Sequence, residues 1–280
     1  LMQLQGDFHV HTNFCPHGAS DNMEAYVQAA IKQGLEYITF TEHAPLPKGF
    51  IDPTPEQDSA MSWEDVEVYL HEATRLKEKY EDLITINAGF ELDYIEGFEK
   101  ELTAFIDSIG ETAYYSILSI HMLKAPNGEY VCIDYSADEF KRITELFGSV
   151  DAVYQTYYLT MEKLLNTDFG NYRPDRIGHL TLIEKFSKLY TAKQAYTTEI
   201  INLLETIQAK GFELDANTAG FFKPYCGTCY PNATILQKAY QMNIPLVFGS
   251  DSHQAKDIAR GSELLPDIET SLPRSIRQLI

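Results

Sequence analysis

The segment Asp7-Phe8-His9-Val10-His11 sets two imidazoles two residues apart, with a carboxylate two residues ahead of them. If it is extended, alternate side chains share a face, so two rings can chelate one cation with Asp7 behind them. His17 follows in the next loop, and six further apolar runs close on polar donors. These are Thr41-Glu42-His43, Gly89-Phe90-Glu91-Leu92-Asp93, His121, His179, Asp215-Ala216-Asn217 and Ser250-Asp251-Ser252-His253. Of the 8 histidines, all but His71 stand at or just beyond the end of such a run, which independently placed core histidines would not do. Imidazoles and carboxylates without a cysteine cluster are the donors of catalytic Zn, Mn, Fe or Co sites. His9, His11, His17, His43, Glu91, His121, His179, Asp251 and His253 exceed the needs of one ion, so two or three divalent ions are expected.

Something must bring these donors together. Apolar runs at 4–10, 35–40, 83–90, 115–120, 176–178, 212–216 and 244–248 alternate with helical patterns at 22–32, 62–80, 98–109, 137–165, 192–210 and 233–242. That alternation predicts an α/β fold of seven βα units around a parallel sheet, a TIM-like barrel in one domain over 1–280. In such barrels the site is built at the C-terminal ends of the strands, where the donors lie. Gly34 is placed to stop the first helix, Ser62 and Asp65 to start the second, and the prolines at 45, 47, 53 and 55 to keep that stretch irregular. Pro126-Asn127-Gly128 reads as a hairpin turn.

Composition narrows the partners. The 280 residues carry 22 Lys and Arg against 41 Asp and Glu, a formal charge of −19. A binder of nucleic acid or of a membrane surface needs a basic face, so neither partner is expected. Mean hydropathy is −0.25, and no stretch approaches the roughly 20 apolar residues of a membrane span. The start lacks the cationic and apolar regions of a signal peptide, and Met2 is read as the natural start after Leu1. Four cysteines are too few for a disulfide scaffold, so a cytoplasmic location is expected. No pattern encodes an oligomeric state.

The ordered set His9-x-His11, His17, Glu42-His43, Glu91, His121, Gly178-His179 and Asp251-Ser252-His253 resembles the motifs of the PHP (polymerase and histidinol phosphatase) superfamily. Gly89-Phe90-Glu91-Leu92-Asp93-Tyr94, Ser119-Ile120-His121 and Asn217-Thr218-Ala219-Gly220 resemble its histidinol-phosphate phosphatases of histidine biosynthesis. The resemblance runs from Asp7 to His253. It implies a distorted (β/α)7 barrel holding three divalent ions. The first would take His9, His11, Glu91 and Asp251; the second His121 and His179, with Glu91 bridging; the third His17, His43 and His253. Asp251, His253, His43 and Glu91 would carry catalysis. The implied reaction is hydrolysis of L-histidinol phosphate to L-histidinol and inorganic phosphate, by attack of a metal-bridging hydroxide without a phosphoenzyme. Local metal charge would reconcile a dianionic substrate with the −19 protein.

Substrate contacts are expected from Lys185, Lys223, Ser252 and Asp93, the last holding the amine or imidazole of histidinol or donating a proton. Phe222 stands where that family frequently has a cation, so one part of its phosphate clamp is absent from this position. Glu42 is either an orienter of a ligand imidazole or a structural carboxylate, and Asp7 could support the rings from behind. His71 falls inside a helical pattern and reads as an exposed, inert side chain. Cys226-Gly227-Thr228-Cys229 has no second C-x-x-C, which favours incidental thiols over a zinc or redox site, with Cys15 and Cys132 isolated. Without a basic groove the tyrosines read as packing residues. Two other functions remain: a PHP phosphoesterase for phosphotyrosine or a nucleotide, and a non-catalytic metal-binding domain.

Overall fold

The structure, a computed structural model, describes residues 3–280; Leu1 and Met2, including the proposed start, lie outside it. Within these residues the chain runs β1 (Gly6–Val10), α1 (Met23–Lys32), β2 (Tyr37–His43), α2 (Asp65–Lys79), β3 (Thr85–Asp93), α3 (Glu99–Ile109) and β4 (Ile117–Ser119). It continues through β5 (Met122–Lys124), β6 (Tyr130–Cys132), α4 (Ala137–Phe147), α5 (Val150–Leu165), β7 (Arg176–Ile177) and α6 (Thr197–Ala209). The last elements are β8 (Glu213–Asn217), α7 (Ala233–Gln241), β9 (Leu246–Gly249) and α8 (Arg274–Arg277).

Seven strands form one parallel sheet in the order β1-β2-β3-β4-β7-β8-β9. The edges meet just past the strands, where Asp251 N donates to His9 O at 2.8 Å and His11 N to Ser252 O at 2.9 Å. The result is the nearly closed (β/α)7 barrel that the run count predicts. Each outer helix turns an apolar stripe inward. In α1 the stripe is Met23, Tyr26, Val27 and Ala30, and Asn22 caps the helix by accepting from Ala25 N. β5 and β6 stand outside the barrel as an antiparallel hairpin, with Ala125 N and Glu129 O closing the turn foreseen at Pro126-Asn127-Gly128.

Three helix boundaries differ from the expectation: α2 starts at Asp65 with no side-chain cap, because Ser62 Oγ donates to the Asp65 carboxylate instead of accepting from a helix amide. The pattern over 137–165 reads as one helix, but Gly148 at φ 95° ends α4 in the left-handed region and the Ser149 side chain caps α5 by accepting from Ala152 N. The helix expected from 192 starts at Thr197, because the amides of Lys193 and Gln194 donate to the Asp151 carboxylate instead.

The C-terminal stretch seals the barrel's lower end. Leu272 and Ile276 are buried against Phe8 and Val247, while Arg274 N and Arg277 Nη2 both donate to Glu213 Oε1. Above them Arg176 lies inside the barrel, 3% exposed, donating to Phe8 O at 2.8 Å. No helix among the described residues is long and apolar enough to cross a membrane.

Candidate metal centre

The end of β1 brings His9, and the residue just past it His11, to one spot, both fully buried, and β3 brings Glu91 up between them. Glu91 Oε1 lies 3.3 Å from Nε2 of His9, 3.3 Å from Nε2 of His11 and 3.4 Å from Nδ1 of His43. Its other oxygen lies 2.8 Å from His179 Nε2 and 3.6 Å from His121 Nε2. One carboxylate therefore faces five imidazoles, as a bridging ligand must. Asp251 Oδ1 completes the first group, 3.4 Å from His9 Nε2 and 3.0 Å from His11 Nε2. Asp251 sits at φ 55°, a left-handed conformation unusual for a non-glycine residue and common where function fixes the backbone.

The donor atoms fit cations. His9, His11 and His253 Nε2, His43 and His179 Nδ1, Glu91 Oε1 and Asp251 Oδ1 are buried without a hydrogen-bond partner among the described residues. Such groups are costly unless something pairs them. Except for His179, which meets Glu91 through Nε2, these residues fall with their neighbours into overlapping groups of ligand atoms within 4.8 Å, among them His9, His11, Glu91 and Asp251; His43, Glu91 and His121, with His43 where His179 was expected; and Cys15, His17, His43 and His253. The first is the set expected for one ion. The third holds the expected histidines, but also Cys15, whose thiol lies 3.2 and 3.3 Å from the ring nitrogens of His17. Cys15 is thus not isolated, and a three-His sequence pattern gave no sign of it. His43 stacks on His11, lies tilted beside His17 and belongs to more than one group.

Around the rings is a layer of orienting groups. Glu42 accepts from His11 Nδ1 at 2.9 Å, from Thr12 N at 2.7 Å and from His43 N at 3.0 Å, so it fixes the His11 ring and the local backbone together. Asp215 does the same for His9 Nδ1 at 2.9 Å, a role the strand-end pattern did not assign. Asp93 engages His121 Nδ1, so it orients that ring while lining the cavity. His253 Nδ1 donates to the carbonyl of Asp251, which leaves its Nε2 without a partner among the described residues, and His17 Nδ1 donates to the carbonyl of Asp58 while its Nε2 faces the Cys15 thiol. Asp7 touches no ring. It accepts from the amides of Ser250 and Ala259 and so holds the loop that carries Asp251 and His253. His71 is exposed on α2, as expected.

Electrostatics divide the rings. Burial opposes charge on His9, yet Asp251, Asp215 and Glu91 outweigh it and hold the ring well above its ordinary pKa. Burial and the neighbouring His11 hold His43 and His253 well below theirs. Burial works against ionisation of Glu91 and Asp251 too, but the surrounding imidazoles keep both well below the usual carboxylate range.

Above the donors opens a cavity of about 420 Å³ lined by Asp93, Lys185, Lys223, Ser252, Tyr135 and Arg260 among others. All four expected substrate contacts reach it. Ser252 offers a buried hydroxyl without a partner among the described residues, and Lys185 donates to Asp134 O at 2.5 Å.

Residues 7–219 match the PHP domain model. The chain belongs to the PHP domain family. Among its relatives a histidinol-phosphatase of Bacillus subtilis is 44% identical over 259 residues, covering 92% of this chain and 96% of that one. A probable histidinol-phosphatase of Deinococcus radiodurans is 29% identical over 90% of this chain and 87% of its own length. In structure, a Listeria monocytogenes chain ascribed provisionally to the histidinol phosphatases superposes with a TM-score of 0.88 at 32% identity, covering 93% of this chain and 99% of that one. The Lactococcus lactis histidinol phosphate phosphatase, solved with zinc, L-histidinol and phosphate, has the same fold at a TM-score of 0.64 and 23% identity over 90% and 87% of the two chains. Within the PHP family this chain therefore stands with the histidinol-phosphate phosphatases.

Proposed function

We propose that the whole chain is one catalytic unit that hydrolyses L-histidinol phosphate to L-histidinol and inorganic phosphate. The observation that carries this reading is the convergence of unpartnered buried donors on Glu91 at the floor of a cavity edged by lysines. The activity named for the 44%-identical relative supports the choice of substrate. Three divalent ions would be held as the resemblance partitions them: by His9, His11, Glu91 and Asp251; by His121 and His179 with Glu91 shared; and by His17, His43 and His253. Zinc, found in the Lactococcus lactis relative, is one candidate beside Mn, Fe and Co. When bound, such ions supply Lewis acidity, which acidifies water and offsets the charge of phosphoryl oxygens.

The chain's own residues do the rest. Glu42, Asp215 and Asp93 fix the faces that His11, His9 and His121 present. Lys185, Lys223 and Ser252 meet the phosphate from the cavity wall, and Asp93 stays within reach of the histidinol moiety. The compartment proposed is the cytoplasm, on the cysteine count alone.

The test is hydrolysis of L-histidinol phosphate beside phosphotyrosine, nucleoside monophosphates and p-nitrophenyl phosphate after metal loading. A kcat/KM preference for the first is expected; comparable values on all would remove the substrate assignment. His9→Ala and Asp251→Asn should abolish turnover in a folded chain, and near-normal activity in either would refute the metal reading.

A further inference from the structure

The cavity wall carries a cation that no motif marks. Arg260 follows the Asp251-Ser252-His253 segment and lines the cavity with Lys185 and Lys223. Its guanidinium carbon lies 3.6 Å from the centroid of the Phe222 ring, a distance at which the planar head covers the ring face. Two further contacts fix the loop beneath. Thr218 Oγ1 donates to Arg260 O at 2.6 Å, and Gly261, at φ 82°, passes so close that a Cβ there would meet Phe222 at 2.9 Å and Thr218 at 3.0 Å. The nearest carboxylate oxygen paired with Arg260 is that of Asp257, at a loose 3.5 Å, and 45% of the side chain stays open to solvent.

Three cations gathered on one wall repel one another. Burial lowers the Lys223 ammonium, and the charges of Lys185 and Arg260 lower it further against the pull of Asp251 and Asp134. In a chain with 22 cations against 41 carboxylates, that grouping is compensated when an anion sits among them. We propose that Arg260, seated on Phe222, is the third cation gripping the substrate's phosphoryl group, and that Phe222 is the residue that positions it. The proposal rests on the phosphate-monoester reading above. An aromatic ring then serves a phosphate site by orienting a cation supplied from another loop.

The experiment compares wild type, Arg260→Gln, Arg260→Lys, Phe222→Leu and the Gln/Leu double variant of the metal-loaded chain. It reads kcat and KM for L-histidinol phosphate, the inhibition constant of inorganic phosphate, and Tm. Arg260→Gln should raise KM and the phosphate inhibition constant roughly ten- to a hundredfold, the scale of a charge-assisted hydrogen bond, with Tm unchanged. Arg260→Lys should fall between, because the charge is kept and the planar stack lost. Phe222→Leu should raise the same two constants in the presence of Arg260 and have no further effect in the double variant. Unchanged constants in Arg260→Gln overturn the proposal, and a full Phe222→Leu effect in both backgrounds overturns the positioning role. If wild type fails to hydrolyse L-histidinol phosphate, the underlying reading falls instead.

Discussion

Oδ2 of Asp215, on β8, lies 2.9 Å from Nδ1 of His9, on β1, two strands away around the barrel. The same oxygen accepts from the backbone amide of His179 at 3.1 Å and from Asn217 Nδ2 at 3.0 Å; that amide nitrogen also donates to Asp251 Oδ2 at 3.2 Å. One carboxylate atom thus aligns three candidate ligands on three different segments. Asp215→Asn keeps the shape but cannot accept in the same way, and the expected loss is about 10–100-fold in metal affinity or kcat. Metal content after dialysis and steady-state kinetics check this, and full retention of both would deny Asp215 its orienting role.

Gly249 leaves no room behind His9. A Cβ there would stand 2.5 Å from His9 Cβ and 2.5 Å from Asp215 Oδ1. Gly249→Ala should push the ring off its ligand position and cost about 1–3 kcal/mol through overpacking. Urea unfolding together with metal stoichiometry reads both effects. A variant as stable and as fully loaded as wild type would show that the close approach is relieved at no cost.

Metal removal should weaken the fold as well as the activity. Buried donors such as His9 Nε2 and Glu91 Oε1 lack partners among the described residues, so ions that bind only the native state add their binding free energy to stability. At a hundredfold excess over Kd that is about 2.7 kcal/mol per site. Exhaustive chelation should lower Tm by several degrees, with recovery on adding Zn or Mn. A Tm indifferent to chelation would separate the cluster from metal binding.

Glu184 offers a pH signature away from the candidate metal donors. Burial raises its carboxyl from 4.5 to about 7. Between those values the folded chain holds a proton that the unfolded chain has released, so the stabilising effect is full below pH 4.5 and is lost as pH rises through about 7. Glu184→Gln should flatten that part of the profile and raise stability at pH 8 by ~2 kcal/mol after solvent screening. Denaturation midpoints at pH 5, 6.5 and 8 test it; parallel curves for variant and wild type would exclude Glu184 as the source.

The strand ends were legible because a β-strand imposes strict alternation, and His9, His11, Glu91 and Asp251 each close a run whose apolar pattern marks the element. The missed helix boundaries depend on local competition: Ser62 spends its hydroxyl on the Asp65 carboxylate, Gly148 and Ser149 break a continuous periodicity, and the Asp151 carboxylate draws the amides of Lys193 and Gln194 away from α6. The roles of Asp215, Cys15 and Arg260 were out of reach for a different reason. Asp215 closes its run like the ligands do, and only the curvature that brings β8 around to β1 assigns it to His9. Cys15 becomes a neighbour of His17 through a turn inside one loop, and Arg260 meets Phe222 only where two loops cross.

The seam between β1 and the loop after β9 also sets an order of assembly. Ser250 N donates to Asp7 Oδ1 across a separation of 243 residues, and Asp251 reaches His9 through the same junction. During synthesis on the ribosome His9 and His11 emerge early, while Asp251, the carboxylate that completes the donor group around them, is among the last parts of the barrel to appear. The first strand can pair with β2 and His11 can meet Glu42 early, but the contacts with Ser250, Asp251 and Ser252 form only when nearly the whole barrel has been made. A nascent chain halted before residue 251 would carry most of the candidate ligands and still lack the complete group of His9, His11, Glu91 and Asp251.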